Sequence, residues 1–229
     1  MRSWLWSRTL LTVAMVAPVA LCLGLLIIRA RATGQLQFGF LVWNLFLAVL
    51  PFPVALLTDY LSRLRHWQFS LPTAGLWLVL LPNSPYLITD LVHLGPTNVP
   101  YWFDTLLYGS FAVTGVMLGF GSVALVHTAV GDRFGRVTGW LVALSSLLLS
   151  AFGIYLGRIE RWNSWNIFAN PKGLAKSILS PIRSPITNAR TIGFVLLYAA
   201  FLVISYVGMA MIGVILSNTT SPLAPPKQE

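Results

Sequence analysis

Charged side chains are scarce in this chain: they make up 9% of its 229 residues, against roughly 25% in a soluble globular domain. Acidic side chains are much rarer than basic ones: there are 6 Asp and Glu against 15 Lys and Arg, which gives a net charge of +9. The single cysteine, Cys22, excludes an intramolecular disulfide. Hydrophobic residues make up 56% of the chain, and the mean hydropathy is +0.76. This composition predicts an integral membrane protein whose main partner is the lipid bilayer.

Catalytic and cofactor signatures are also absent. The sequence contains no GxSxG, HExxH or P-loop pattern, and it identifies no cofactor. No basic stretch is interleaved with aromatic residues as in a nucleic-acid module, so nucleic acid is not an expected partner. In a membrane protein, the excess of Lys and Arg is first a signal of topology and of contact with anionic lipid.

Six apolar segments approach the ~20 residues that a helix needs to cross a hydrocarbon layer. They are Thr9–Ile28, Phe38–Leu57, Leu71–Ile88, Phe103–His127, Gly139–Gly157 and Ile192–Leu216. The first is longer than a signal-peptide core of ~7 to 15 residues, so we expect it to be an uncleaved helix. The predicted fold is all-α: one polytopic transmembrane bundle of five or six spans over residues 1–216. A disordered, proline-containing tail is expected over 217–229.

The third apolar segment is interrupted by Pro82-Asn83-Ser84-Pro85. Two prolines remove backbone donors and clash with the preceding turn, which predicts a break within Pro82–Pro85. The segment is then either a broken transmembrane helix or a re-entrant one. With the N-terminus inside, six crossings place 7 basic residues inside and 8 outside, whereas a re-entrant segment gives 10 and 5. The distribution of basic residues favours the re-entrant segment, and the length of the apolar segment favours the broken transmembrane helix. Both alternatives therefore stay open.

Small residues recur on the fourth and fifth segments at helical spacing. Gly115 and Gly119 lie four apart, as do Gly153 and Gly157. Such spacing lets helix backbones approach closely, and only a short connection joins the two segments. We therefore predict that these helices are neighbours, with one or more of these glycines at their crossing.

The densest polar run follows the interruption. It contains Asn83, Tyr86, Asp90 and His93, and Asp104 comes soon after. An acid and an imidazole on one helical face could relay a proton or bind a metal. Zinc sites usually have three or four protein ligands, so no metal site is predicted here. A capping role for the acid is the simpler interpretation of this pair.

A second polar run leaves the fifth segment with Arg158, Arg161 and Asn163. Arginines beside tryptophans at a membrane boundary are commonly interfacial anchors, although a guanidinium also suits an anionic headgroup. Both topologies place this run on the same face as the first. Because unpaired charge near hydrocarbon is costly, we predict that Arg158 or Arg161 lies within ion-pair distance of Asp90 or Asp104.

The order of the polar motifs resembles that of a known family. The motifs are Trp43-Asn44-Leu45-Phe46-Leu47-Ala48, Pro82-Asn83 through Asp90 and His93, Trp102 with Asp104, and Gly157-Arg158 through Arg161 and Asn163-Ser164-Trp165. They resemble the bacterial integral membrane family called domain of unknown function 1361, over about Phe38 to Trp165. The resemblance implies a multi-pass protein of a bacterial inner membrane, and it implies no activity.

Three functions fit these residues. The leading hypothesis is a polar pocket that binds or transports a small anionic or lipid-derived ligand, since transporters often place broken helices at such sites. Its proposed lining is drawn from Asn83, Tyr86, Asp90, His93, Asp104, Arg158, Arg161 and Asn163. The second is a membrane enzyme that uses Asp90, His93 and Asp104. The third is an assembly or scaffold subunit, for which a second copy or another membrane protein would be the partner.

Overall fold

The computed structural model describes residues 2–35, 38–95, 99–162, 169–184 and 186–220, and all the regular structure in these ranges is helical. The nine α-helices of the described residues are α1 (Arg2–Thr33), α2 (Gly39–Val49), α3 (Pro51–Arg63), α4 (Trp67–Leu80), α5 (Asn83–Tyr86), α6 (Tyr101–Phe134), α7 (Arg136–Arg158), α8 (Pro171–Arg183) and α9 (Ala189–Thr220), and a 3₁₀ helix covers Leu87–His93. Within the described part of the chain, five helical stretches are long and apolar enough to cross a membrane: 6–33, 39–63, 101–134, 136–158 and 189–215.

Ion pairs mark the two ends of the bundle. At one end, here the Arg8 end, Arg8 at the start of α1 pairs with Asp59 near the end of α3. At the other, here the Arg158 end, Arg158 closes α7 and pairs with Asp90 of the 3₁₀ helix. Between the two ends, exposed apolar side chains cover the outer faces of α1 and α9, where Val13 is 63% and Leu197 75% exposed. Such faces are stable in a bilayer and not in water, so the chain is a multi-pass membrane protein.

The segment from α4 to the 3₁₀ helix runs from one end of the bundle to the other. Its start follows α3, whose last residue, Arg63, pairs with Asp132 near the end of α6. Its far part reaches the Arg158 end, and α6 begins there. The predicted break is confirmed, because α4 stops at Leu80 and a separate short helix begins at Asn83. Of the two alternatives left open, the contacts support a broken sixth crossing.

Polar side chains satisfy the backbone around the break. The Ser84 amide donates to Leu81 O, so it does not make the α-helical hydrogen bond to Leu80 O. The Asn83 side chain replaces it and donates a 2.9 Å hydrogen bond to Leu80 O. The Ser84 hydroxyl donates across to Ala48 O at 2.7 Å. These bonds meet the rule that non-helical backbone at membrane depth needs protein partners.

The helices α6 and α7 are neighbours, as predicted: a Cβ on Gly139 of α7 would lie 2.9 Å from the His127 carbonyl oxygen of α6. The predicted position of the glycines at their crossing is wrong. Gly115 faces the Ser84 carbonyl, and a Cβ on Gly153 would overlap the Pro82 ring. A Cβ on Gly119 would also contact Ser84. The small residues make room for the broken crossing, which lies against both helices.

Two boundaries differ in detail from the sequence expectations. The predicted second span is divided at Leu50, just before Pro51, because proline lacks the amide N–H that would continue the hydrogen bonds of α2. The last helix continues to Thr220, four residues beyond the predicted end of the membrane domain. Residues 221–229 of the predicted tail lie outside the described residues.

Candidate functional site

Arg158 is the centre of a polar cluster at its end of the bundle. Its Nη1 lies 3.4 Å from Asp90 Oδ1 and 3.4 Å from the Tyr86 hydroxyl. Its Nη2 donates a 2.8 Å hydrogen bond to Thr89 O and lies 3.4 Å from His93 Nδ1. The prediction that an arginine after the fifth span reaches Asp90 is confirmed. We call these five residues, together with Asn44, the Arg158 cluster.

Asp90 has a partner on each carboxylate oxygen. Opposite Arg158, the Asn44 side-chain amide donates a 2.9 Å hydrogen bond to Asp90 Oδ2. The Asp90 side chain is 1% exposed and that of Arg158 is 19% exposed. A carboxylate removed from water is tolerated when it is paired and hydrogen-bonded, and these two partners meet both conditions. The Arg158 cluster therefore joins α2, the broken crossing and α7.

Asp104 forms a separate ion pair that sequence reasoning missed. Arg29 Nε lies 2.6 Å from Asp104 Oδ1, and Nη2 donates to Oδ2 at 3.2 Å. The two side chains are 2% and 1% exposed, and the guanidinium also stacks 3.8 Å from the centre of the Phe38 ring. Asp104 is thus the partner of Arg29 on α1, although the sequence placed it with Arg158 as a lining residue. This pair fastens α1 to the start of α6.

A cavity of about 460 Å³ opens beside the Arg158 cluster. Trp43 and Leu47 of α2, Leu80 of α4 and Leu156 of α7 supply apolar walls. The polar part of the lining comes from Asn44, Asn83 and Tyr86. Gly157 also lines the cavity and adds no side chain that would fill it. The lining is therefore amphipathic, because amide and phenol side chains occur in it together with hydrocarbon side chains.

Two residues beyond α7 also line this cavity: Trp162, and Leu174 of α8. Glu160 holds both residues in position. The hydroxyl of Ser177, which lies on α8 one turn after Leu174, donates to Glu160 Oε2 at 2.7 Å, and Trp162 Nε1 donates to the same oxygen at 3.2 Å. The Ser177 bond, helped by Trp162 and Tyr155, lowers the pKa of Glu160 against the opposing effect of partial burial. Because the pKa of Glu160 is lowered, the ionised carboxylate stabilises this contact at every pH above the ordinary carboxyl pKa. The stabilisation is lost as the pH falls through the lowered pKa.

The other predicted site residues differ in position. His93 is exposed beside Arg158, and its ring packs 5.0 Å from that of Phe40. Arg161 is exposed and, within the described part of the chain, makes no ion pair. Asn163 lies outside the described residues. Among the residues that the structure describes, no group of three His, Cys, Asp or Glu is arranged to hold a metal ion.

A charge network at the Arg8 end was not foreseen. Asp59 is completely buried and accepts from Arg8 at 2.8 Å and from Arg63 at 3.1 Å. Arg63 continues to Asp132 at 3.2 Å. An acid within an apolar helix, one turn before a basic residue, is the sequence signal that could have indicated this pair. The network fastens α1, α3 and α6 at the end opposite the cavity.

Comparison with known families matches residues 43–205 to the family described as "Protein of unknown function (DUF1361)". These residues are more than half of the chain. The chain belongs to this family. The DUF1361 match includes Asn44, Asp90 and Arg158, begins after Arg29, and extends past Trp165 through α8 into α9. No curated protein and no solved structure matches the chain.

Proposed function

We propose that the chain binds a lipid-derived anionic amphiphile in the cavity beside the Arg158 cluster. The observation that carries the proposal is the composition of the cavity: its lining combines apolar side chains from three elements with the amide and phenol groups of Asn44, Asn83 and Tyr86. Its volume of about 460 Å³ lies within the roughly 300–1,000 Å³ of small-molecule sites. A ligand with a hydrocarbon part and a polar end matches such a lining.

The polar groups of the cavity can donate hydrogen bonds to an anion. Because the Tyr86 oxygen accepts from Arg158, its own proton can be directed to a ligand. The Asn44 and Asn83 amides each use one N–H in the bonds to Asp90 and Leu80, which leaves a second N–H on each. Three donors next to a guanidinium favour a phosphate or a carboxylate.

The Arg158 guanidinium supports this anion through Tyr86. Its carbon lies 5.7 Å from the centre of the Tyr86 ring, and the shared hydrogen bond polarises the phenol. Since Asp90 already balances its charge, the cluster is stable without a ligand. An anion would therefore bind by hydrogen bonds and would not be needed for folding.

The enzyme hypothesis receives less support from the geometry. Asp90 and Asp104 belong to different ion pairs, and both side chains are about 1% exposed. A general acid or base needs to reach its substrate, and these carboxylates face their arginines. Binding, alone or as a step of transport, is the function that we propose.

The proposal predicts that the purified chain retains one amphiphilic anion. Native mass spectrometry, followed by extraction and identification of the bound molecule, measures this occupancy. Leu80→Trp fills the cavity from α4, so we expect this variant to lose the bound molecule. Leu76→Trp on the same helix is the control, because Leu76 is 51% exposed and does not line the cavity. A small inorganic anion, or equal retention by both variants, would contradict the proposal.

We also propose that the chain resides in the inner membrane of a bacterium, because of the family resemblance of its motifs. A second copy of the chain or another membrane protein is the proposed protein partner. Membrane fractionation and the mass of the purified particle test these two statements.

A further inference from the structure

The helix α8 carries three cations on one side. Lys172, Lys176 and Arg183 are four and seven residues apart, which places them within about 40° of one another around a helix axis. All three are exposed. The helix has no acidic residue along Pro171–Arg183, so nothing on α8 itself neutralises this cationic stripe.

The opposite side of α8 is attached to the bundle. Leu174 lines the cavity beside the Arg158 cluster, and Ile178 and Pro181 line a groove between α7 and α9. Ser177 bonds to Glu160. The attachment directs the cationic stripe away from the protein. Leu179, 39% exposed, lies at the edge of the stripe on the apolar side.

The position of α8 in the chain puts it at a membrane surface. It follows α7, which ends at the Arg158 end, and precedes α9, whose Thr191 hydroxyl bonds to Tyr155 of α7 at 2.9 Å. With 13 residues it is too short to cross a bilayer, which takes ~20. Asn170 caps its first turn by accepting from the Gly173 amide at 3.0 Å. A short, capped helix with apolar and cationic sides is typical of the membrane interface.

We propose that α8 is an interfacial helix that gathers anionic phospholipid at the Arg158 end of the bundle. Charge complementarity selects this occupant: the stripe presents three positive charges next to exposed apolar side chains. The acids described at this end, Asp90, Asp104 and Glu160, are engaged in the contacts given above. The inference does not depend on what the cavity binds.

The test places a fluorescent label at residue 179 of the full chain, using Leu179→Cys in a Cys22→Ala background, in lipid nanodiscs. Brominated phosphatidylglycerol and brominated phosphatidylcholine are compared as quenchers at equal mole fraction. We expect quenching by both lipids, and stronger quenching by phosphatidylglycerol at low salt. Adding Lys172→Gln and Lys176→Gln should strongly reduce the preference, since each cation near a surface contributes about fivefold to lipid affinity and only Arg183 of the stripe is left.

The matched control removes two exposed arginines from the Arg8 end, Arg65→Gln with Arg136→Gln, and should keep the preference. No quenching by either lipid would overturn the proposal and would indicate that the cationic stripe binds a soluble anionic partner instead. Equal quenching of the parent chain by the two lipids, or a preference that the lysine replacements leave undiminished, would also overturn it.

Discussion

Asp104→Asn is expected to destabilise the protein by about 3–5 kcal/mol, because it leaves the Arg29 guanidinium buried without its counter-charge. Arg29 is 1% exposed, so solvent cannot replace the lost carboxylate. We expect a strong loss of monodisperse protein and a lower thermal midpoint in detergent. Arg31→Gln, two residues along the same helix at an exposed position, is the control and should have little effect.

The double variant Arg29→Met with Asp104→Leu separates a pairing role from other roles of Asp104. Replacing both members of a buried ion pair by apolar residues of similar size is often neutral. We expect the double variant to be clearly more stable than Asp104→Asn alone. A double variant as unstable as the sum of the two single replacements would contradict the pairing interpretation.

Gly115→Val is expected to displace the broken crossing from α6. A Cβ at residue 115 would overlap the Ser84 carbonyl oxygen, and backbone moves less easily than a side chain. Overpacking of this kind costs about 3 kcal/mol, the upper part of the usual range. Circular dichroism melts and the folded yield measure the change. The broken crossing also carries Asn83, Tyr86 and Asp90, so ligand binding should fall with stability.

Gly109→Val on the same helix is the matched control. Nothing lies within 4 Å of a Cβ built at Gly109, so the added side chain has space. Equal yields and midpoints for the two variants would show that Gly115 is not needed for this packing.

The sequence predicted the main polar contact because the prediction did not depend on topology. Asp90 and Arg158 fall at the same end of the bundle whether the third segment crosses the membrane or turns back. The cost of unpaired charge near hydrocarbon then brings them together. The break at Pro82–Pro85 could also be predicted from the sequence, since a proline disrupts helical hydrogen bonds within one turn of its own position.

The Arg29 to Asp104 pair could not be predicted while both topologies remained open. A re-entrant third segment would place these residues at opposite ends of the bundle, and a sixth crossing places them together. The glycines were misplaced for a related reason. Their spacing shows that something packs closely against α6 and α7, and it does not identify the partner, which is the broken crossing.

The most direct test of the proposed site compares lysophosphatidic acid with a monoacylglycerol of the same acyl chain, by titration of the purified chain and of Tyr86→Phe. We expect the parent chain to prefer lysophosphatidic acid and Tyr86→Phe to lose about tenfold or more in affinity for it, since a hydrogen bond to a charged group contributes about 1.5–3 kcal/mol. Binding of the monoacylglycerol should be unchanged in the variant. Equal affinity of the parent chain for both probes, or an undiminished preference in Tyr86→Phe, would contradict an anionic site at the Arg158 cluster.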